Sequence, residues 1–506
     1  MKPTHILKLV ICIELLLCAT IVFLFLSTYI SMVSVGRISC DAATRKSVHI
    51  ECKKPSTMPV VVIDPGQKVP VKYVTHLLKI FNRLGYRHEH VPNIKKSNTV
   101  FDLVWTQGYP RQLLLTYHKI NHFPGIGWIG AKAILSREGG KYIPQAFLLP
   151  EDRDKFLTEV HNTTNTNRTW VRKNTNHRGV QVVDTKALNL DSKMLIQEYV
   201  PNPFLIDGYK FNMGVYVVLT SINPLRAYIL ESTLGVRFCS GKYKHGNYTD
   251  ITTYNTDIDD HKSAHEIPKI DEMLKRFAYK RNKLLELRFQ ETGVNPSYVK
   301  EQIYEAVRDI LITREARLDE KLASLIPKDR RNLKLYGMFF EIMRWDFLID
   351  ENLRVHLIEA NMSPDLVPMN EKMIVFKQHV AFNCFNVALL NDVKKHGSVS
   401  SLLRSIRDSD INDHISICVS SKCNGCNEEG CSVCTHCMSR DAIYMLKLAY
   451  AEHINRQNMR RVYPEETTME AAMSYNAEED SHMSPNNRLT RAWFRAKCVA
   501  DPYWCS

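Results

Sequence analysis

The chain has 506 residues, of which 44% are hydrophobic, and a formal net charge of +13 at pH 7. This length allows two or three domains with cores of their own. The positive charge predicts an acidic partner, but the Lys and Arg residues are dispersed and there is no C₂H₂ finger or RNP-type aromatic segment, which argues against nucleic acid.

The N-terminal region is apolar from Leu9 to Val35 and carries one charged residue, Glu14. Because this run exceeds the ~20 residues that a membrane helix needs, we predict an uncleaved signal anchor over residues 1–36. A cleaved signal peptide is the alternative, although its apolar core is normally about 7–15 residues. The prediction is a single-pass membrane protein in contact with the lipid bilayer. Both flanks are basic, so the side on which the body lies stays open.

The segments that follow predict a mixed α/β (α+β) fold. Residues 37–58 form a polar stalk, and strand-like and helix-like segments alternate from Val60 to Pro110. Strands dominate from Thr169 to Tyr243, and a charged helical stretch runs from His265 to about Ser324. We predict a catalytic domain over residues 59–395 and a separate Cys-rich C-terminal appendage over residues 396–506.

One segment, MRWDFLIDENLRVHLIEANMSPDL from Met343 to Leu366, predicts a β-hairpin around an Asp-Glu-Asn turn. Pairing its strands brings Asp346 near Glu359, and Asn361 faces the same side because it lies two residues further on. Two carboxylates and an amide oxygen are a hard, all-oxygen ligand set that suits Mg²⁺ bound with nucleotide phosphates. The alternative is an acidic turn with a solvated glutamate.

The cysteines and sequons bear on the compartment. Six cysteines lie within twenty positions: Cys418, Cys423, Cys426, Cys431, Cys434 and Cys437. Two further pairs are possible, Cys498 with Cys505 and Cys40 with Cys52. Three disulfides would account for the six in a lumen, whereas zinc is expected in the cytosol. We lean towards disulfides and a luminal body, in which the sequons would be glycosylated: Asn162, Asn167 and Asn247.

Four segments, in this order, resemble the tubulin tyrosine ligase-like family of ATP-grasp ligases, with the glutamylating branch the most similar. They are NHFPGIGWIGAKAILSR from Asn121, WVRKNTNHRGVQVV from Trp170, the stretch from Leu195 to Tyr243, and the carboxylate hairpin. The resemblance implies an ATP-grasp fold and an ATP- and Mg²⁺-dependent ligase. It implies that glutamate is joined to glutamate side chains of an acidic protein tail, with tubulin or microtubules as the expected acceptor, through an acyl phosphate.

The resemblance also implies roles for individual residues. The Mg²⁺ ligands are Asp346, Glu359 and Asn361. The nucleotide-binding residues are Lys173, Arg178, Gly179, Gln197, Glu198, Tyr199, Val200, Lys210 and Asn212. Lys132 lies near the phosphates and Arg237 faces the reacting carboxylate, so both are predicted catalytic residues.

Three positions depart from the family pattern. Asn212 stands where the family has Asp, Gly214 where it has Arg, and Gln181 where it has a phosphate-loop glycine. Losing one charge-stabilising donor commonly costs about 10²–10³ in rate. The alternative function is therefore a membrane-tethered pseudoenzyme or binding module of the same fold that binds nucleotide or an acidic tail with little or no ligase activity.

Overall fold

The computed structural model describes residues 58–64, 71–89, 101–106, 119–161, 168–173, 180–232, 235–256, 262–263, 266–276, 281–293, 295–325, 337–366, 372–396, 399–428 and 430–506. The described strands are β1 Val60–Asp64, β2 Arg87–His88, β3 Leu103–Thr106, β4 Lys119–Ile120, β5 Ala146–Leu149, β6 Trp170–Lys173, β7 Val180–Val183, β8 Met194–Glu198, β9 Leu205–Ile206, β10 Tyr209–Ile222, β11 Leu225–Leu230, β12 Gly235–Phe238, β13 Lys262–Ser263, β14 Glu341–Ile349, β15 Val355–Met362 and β16 Met459–Tyr463. The described α-helices are α1 Val71–Leu84, α2 Gly127–Gly130, α3 Lys132–Glu138, α4 Arg153–His161, α5 Pro268–Arg276, α6 Arg281–Glu291, α7 Pro296–Ala323, α8 Lys372–Val387, α9 Leu390–His396, α10 Val399–Ser405, α11 Asp408–Asn412, α12 Arg440–Asn455, α13 Met469–Met473 and α14 Pro485–Ala500.

The N-terminal sheet has four strands in the order β2-β1-β3-β4, all parallel. Val60–Ile63 is a continuous buried run, as is typical of a parallel strand covered on both faces. Helix α1 turns an apolar stripe of Leu77, Phe81 and Leu84 to the core, where Phe81 stacks on Phe385 of α8 at 5.2 Å between ring centroids. This region matches the predicted α/β beginning.

The central sheet is built on β10, whose 14 residues pair antiparallel with β11, β12 and β14. Strand β15 extends it beyond β14, β13 beyond β12 and β16 beyond β11. One face packs on α5, α6 and α7 through residues such as Val215 and Trp345. The other face packs in part on α1 and α8, and its remaining part faces a smaller sheet.

The small sheet has the antiparallel order β5-β8-β6-β7. Helix α4 covers one side through Phe156, which packs with Phe147 and Trp170. The other side faces the central sheet across a cleft. Two sheets that enclose a cleft, together with an N-terminal α/β region, are consistent with the ATP-grasp architecture that the resemblance implies.

The C-terminal residues contribute directly to the central sheet. Strand β16 pairs with β11, and the buried Glu452 of α12 accepts hydrogen bonds from Arg226 at 2.8 and 3.0 Å. The six clustered cysteines form three disulfides, Cys418–Cys434, Cys423–Cys431 and Cys426–Cys437, and Cys498 pairs with Cys505. The sequence boundary at residue 396 stays a prediction, but the residues beyond it complete the main body.

The prediction of an N-terminal membrane-spanning helix, and with it a single-pass membrane location, is corrected. No helix in the described part of the chain is both long and apolar enough to cross a bilayer. The longest described helix, α7, has 28 residues but carries charges along its length, including Lys300, Asp309 and Arg317. The predicted span from Leu9 to Val35, the stalk, Cys40, Cys52 and two sequons, Asn162 and Asn167, lie outside the described residues.

Candidate active site

Strand register places the predicted metal ligands on one face of the central sheet. Asp346 of β14 lies opposite Glu359 of β15, as the sequence predicts, and Asn361 lies opposite Arg344. Asp346 also lies opposite Gly214 of β10 on its other side. Because alternate residues of a strand share a face, Lys210 and Asn212 of β10 face the same side as these groups.

The carboxylates of the hairpin are in direct contact with polar partners. The Asn361 amide Nδ2 lies 3.1 Å from Asp346 Oδ2 and 2.8 Å from Glu359 Oε1. The Lys132 ammonium of α3 lies 2.5 Å from Glu359 Oε2. The three predicted ligand side chains therefore converge, and a cation between them would meet Oδ1 of Asn361 after a rotation of its amide.

The two carboxylates differ in acidity because their partners differ. Burial raises the pKa of Asp346 to about 6, even though the neighbouring Arg344 guanidinium opposes the rise. Burial would also raise the pKa of Glu359, but Lys132, helped by Asn361 and Lys173, lowers it to about 2. At neutral pH both groups are ionised, as hard-cation ligands must be.

Arg344 also belongs to this cluster. Arg344 donates from Nε to Asp346 Oδ1 at 2.8 Å and from a terminal nitrogen to Oδ2 at 2.6 Å. The aliphatic part of its side chain lies over Gly214, where a Cβ atom would come within 2.9 Å of Arg344 Cδ. Sequence reasoning missed Arg344, although its spacing of two residues from Asp346 on one strand puts both on the same face.

The cleft between the central and small sheets encloses about 480 Å³, part of it open solvent. Seven of the nine predicted nucleotide-binding residues line it: Lys173, Gln197, Glu198, Tyr199, Val200, Lys210 and Asn212. The remaining lining residues were not predicted as site residues, and they include the apolar side chains Val171, Leu348 and Ile358 and the segment Tyr254–Thr256. The cleft is therefore lined by both apolar and polar side chains, and the polar ones include Lys173 and Lys210.

The polar residues of the cleft are held by neighbours. Lys210 Nζ donates to the Tyr199 hydroxyl at 3.0 Å and lies 4.3 Å from the centre of that ring. Asn212 donates to Thr256 Oγ1 at 2.6 Å. On β8, the Gln197 amide donates to Pro144 O at 3.0 Å, and Arg168 holds the Glu198 carboxylate at 2.9 Å.

Two predicted nucleotide-binding residues, Arg178 and Gly179, lie outside the described residues. Gln181, the departure in this loop, lies opposite Arg172 in the β6–β7 pair and accepts a hydrogen bond from it at 3.0 Å. Lys173 and Val180, the neighbouring pair, line the cleft instead. The Gln181 side chain therefore points to the face away from the cleft.

Arg237, the other predicted catalytic residue, lies on β12 opposite Asn212. Burial raises the pKa of Asp346, and the positive charge of Arg237, like that of Arg344, opposes this rise. Arg237, Arg344, Lys132 and Lys173 thus place four cations around two carboxylates. This surplus of positive charge suits a polyanion such as a nucleotide phosphate chain.

The sequence matches the profile of the tubulin-tyrosine ligase family over residues 111–396, which is more than half of the chain. The chain belongs to this family. It is 27% identical over 454 residues to the "Probable tubulin polyglutamylase ttll-15" of Caenorhabditis elegans, covering 86% of this chain and 84% of that protein.

Other members match over a shorter range. The tubulin polyglutamylase TTLL6 of Mus musculus is 29% identical over 294 residues, 53% of this chain and 34% of that protein. The tubulin monoglutamylase TTLL4 of Homo sapiens is 30% identical over 292 residues, 54% of this chain and 23% of that protein. The chain thus spans about a third or less of the mouse and human relatives but most of the worm protein.

Proposed function

We propose that this protein is an ATP- and Mg²⁺-dependent ligase that joins glutamate to glutamate side chains on an acidic protein tail, with tubulin as the acceptor. The observation that supports it best is the convergence of Asp346, Glu359 and Asn361 beside a cleft that contains Lys173 and Lys210. Family membership and the glutamylase names of the relatives support the same reaction class.

The residues present fit a magnesium nucleotide. Asp346, Glu359 and Asn361 would hold the cation, since all three offer oxygen atoms within one cluster. Lys173 and Lys210 would bind phosphates, and the apolar residues Leu348 and Ile358 would contact the base or sugar. When bound, the metal would neutralise negative charge on the phosphates and so favour phosphoryl transfer.

The chain's own groups would then act by position and charge. Lys132 and Arg237 lie on either side of the hairpin carboxylates, where they can hold the acceptor carboxylate against the phosphate chain. Electrostatic stabilisation of this kind is usually the largest single contribution to transfer reactions of this class. In the proposed reaction the acceptor carboxylate takes the terminal phosphoryl group of ATP, with ADP as the leaving group. The amine of free glutamate then attacks the acyl phosphate, which forms the amide and releases phosphate and a proton.

The direct test is incorporation of labelled glutamate into microtubules in the presence of ATP. The protein should incorporate label, and the double variant Asp346→Ala, Glu359→Ala should reduce incorporation at least about 10²-fold because it removes the metal ligands. Arg276→Ala, which alters an exposed ion pair with Glu272 on α5, is the control and should retain activity. Equal incorporation by the parent and the double variant would contradict the proposal.

A nucleotide-binding protein without ligase activity is the second candidate, favoured by Asn212, which brings no charge to the cleft and bonds Thr256. Asn212→Asp is the discriminating variant. If it creates glutamate incorporation that the parent lacks while both bind ATP, the parent is a binding protein. Incorporation by the parent rejects this second candidate.

A further inference from the structure

A side chain at position 214 would require Arg344 to move. A Cβ atom at this position would lie 2.9 Å from Cδ and 3.3 Å from Cγ of Arg344, and 3.2 Å from Oδ1 of Asp346. The first of these distances is well below van der Waals contact between carbon atoms. The space above Gly214 is occupied because Arg344 extends into it from the neighbouring strand.

The contact that Arg344 makes there is strong and specific. Its guanidinium forms a two-point hydrogen bond with Asp346, with distances of 2.8 and 2.6 Å. Both residues are buried, Arg344 at 8% and Asp346 at 3% exposure. Planar, bidentate pairing of this kind fixes the orientation of a carboxylate, which a lysine at the same place could not do.

We propose that Arg344 is the positioning residue of this metal site, and that Gly214 is present because Arg344 needs its space. Arg344 holds the Asp346 carboxylate towards Glu359 and Asn361, and it supplies the positive charge that an arginine at position 214 would otherwise bring to the same face. This inference rests on the proposed ATP and Mg²⁺ site.

The pairing leaves Asp346 able to bind a cation. Each carboxylate oxygen has two lone pairs. Oδ1 accepts from Arg344 and keeps one lone pair for a metal, whereas Oδ2 also accepts from Asn361 and would gain one when that amide turns its oxygen towards the metal. Partners that orient metal ligands in this way usually affect metal affinity or activity about 10- to 100-fold when they are replaced. The same range is expected for Arg344.

The test measures ATP binding to the full chain by calorimetry, with and without Mg²⁺, so that it does not depend on ligase activity. Arg344→Met should weaken Mg²⁺-dependent ATP binding about 10- to 100-fold, and Arg344→Lys should recover part of that loss because it restores the charge without the bidentate geometry. Gly214→Arg should weaken binding to a similar degree because it displaces Arg344. The double variant Gly214→Arg, Arg344→Gly should restore it.

The matched control is Arg226→Lys, which changes another buried, bidentate arginine–carboxylate pair on β11 of the same sheet. It should lower the thermal midpoint but leave Mg²⁺-dependent ATP binding intact. Unchanged binding in Arg344→Lys, equal loss in the two lysine variants, or failure of the double variant to recover binding would overturn the inference. If the parent itself binds no ATP, the proposed function fails and this inference with it.

Discussion

At the scale of single residues, the charge state of the hairpin depends on which cation each carboxylate meets. Asp346 has a pKa of about 6 because it is buried, whereas Glu359 is held at about 2 by Lys132 despite burial. Protonating either group removes a ligand oxygen's charge, so cation binding must fall as the pH falls through the relevant pKa.

The first prediction at this scale concerns pH. Mg²⁺-dependent ATP binding by the unmodified protein should weaken as the pH falls through about 6, where Asp346 takes up a proton. In Lys132→Met the pKa of Glu359 should rise because that ammonium no longer opposes the effect of burial, so Glu359 should be protonated closer to the pH at which Asp346 is, and binding should fall more steeply as the pH falls. Calorimetric ATP titrations at a series of pH values measure the shift.

The control for that series is Lys141→Met, which removes a lysine paired with Glu305 on the exposed surface. Its pH profile should follow that of the unmodified protein. A Lys132→Met profile that coincides with both would show that Lys132 does not control Glu359.

The second prediction at this scale separates the charge of Lys210 from its hydrogen bond to the Tyr199 hydroxyl. Lys210→Met should weaken ATP binding at least about tenfold, since a charged hydrogen bond contributes roughly 1.5–3 kcal/mol. Tyr199→Phe keeps the ring beneath the ammonium and removes only the hydroxyl acceptor, so it should change affinity by less than about threefold. A larger loss of affinity in Tyr199→Phe than in Lys210→Met would show that Lys210 does not contact the nucleotide.

At the scale of elements, the hairpin depends on an irregularity in its pairing. Asp346 pairs with Glu359 but Phe347 pairs with Leu357, so Ile358 is an extra residue in β15. Such a bulge changes the direction of side chains, and here Ile358 lines the cleft. The bulge thus adds an apolar side chain to the cleft while the residues on both sides of it stay paired with β14.

Deletion of Ile358 should therefore weaken ATP binding more than the loss of one apolar side chain would. Without the extra residue, the pairs Asp346–Glu359 and Phe347–Leu357 become neighbours in a regular ladder, so the bend and added twist of the bulge are lost and the cleft loses an apolar contact. ATP binding should fall at least tenfold, whereas Ile358→Val, which removes one methylene, should bind within about threefold of the parent. Near-normal binding by the deletion variant, measured by the same titration, would show that the bulge is not essential for the site.

At the scale of the whole molecule, the C-terminal residues are part of the body that carries the cleft. Strand β16 covers the β11 edge of the central sheet, and Glu452 of α12 compensates the buried Arg226 of β11. Thr220 and Tyr228 also donate to Glu452, at 2.7 and 3.2 Å. A buried cation deprived of its partner carries a large desolvation cost.

Glu452→Ala should accordingly destabilise the protein by about 3–5 kcal/mol, because it leaves the Arg226 guanidinium buried and unpaired. Arg276→Ala, which breaks an exposed pair on α5, should cost less than about 1 kcal/mol. Denaturant unfolding followed by circular dichroism compares the two. Similar small losses would show that the pair of Arg226 and Glu452 contributes little to the packing of α12 on the central sheet.

The sequence determined those features that depend on local periodicity. Alternating apolar residues predicted β14 and β15, and pairing the two strands predicted that Asp346 lies near Glu359, because strands joined by a short turn pair with each other. The bulge at Ile358, which brings Glu359 directly opposite Asp346, was not predicted. The strand-rich stretch from Thr169 to Tyr243 contains β6 to β12, and the helical stretch from His265 to about Ser324 contains α5 to α7, as their sequence patterns predicted.

Only the tertiary structure decided which distant groups meet. Arg344 lies over Gly214 because β10 and β14 pair in one particular register, and β16 joins β11 across more than two hundred residues of chain. Neither contact leaves a local pattern, because burial and cross-strand pairing depend on the whole fold. From the sequence, Gly214 was interpreted as the loss of a positive charge. In the structure, the side chain of Arg344 from the neighbouring strand lies over Gly214 and brings a positive charge to the same face.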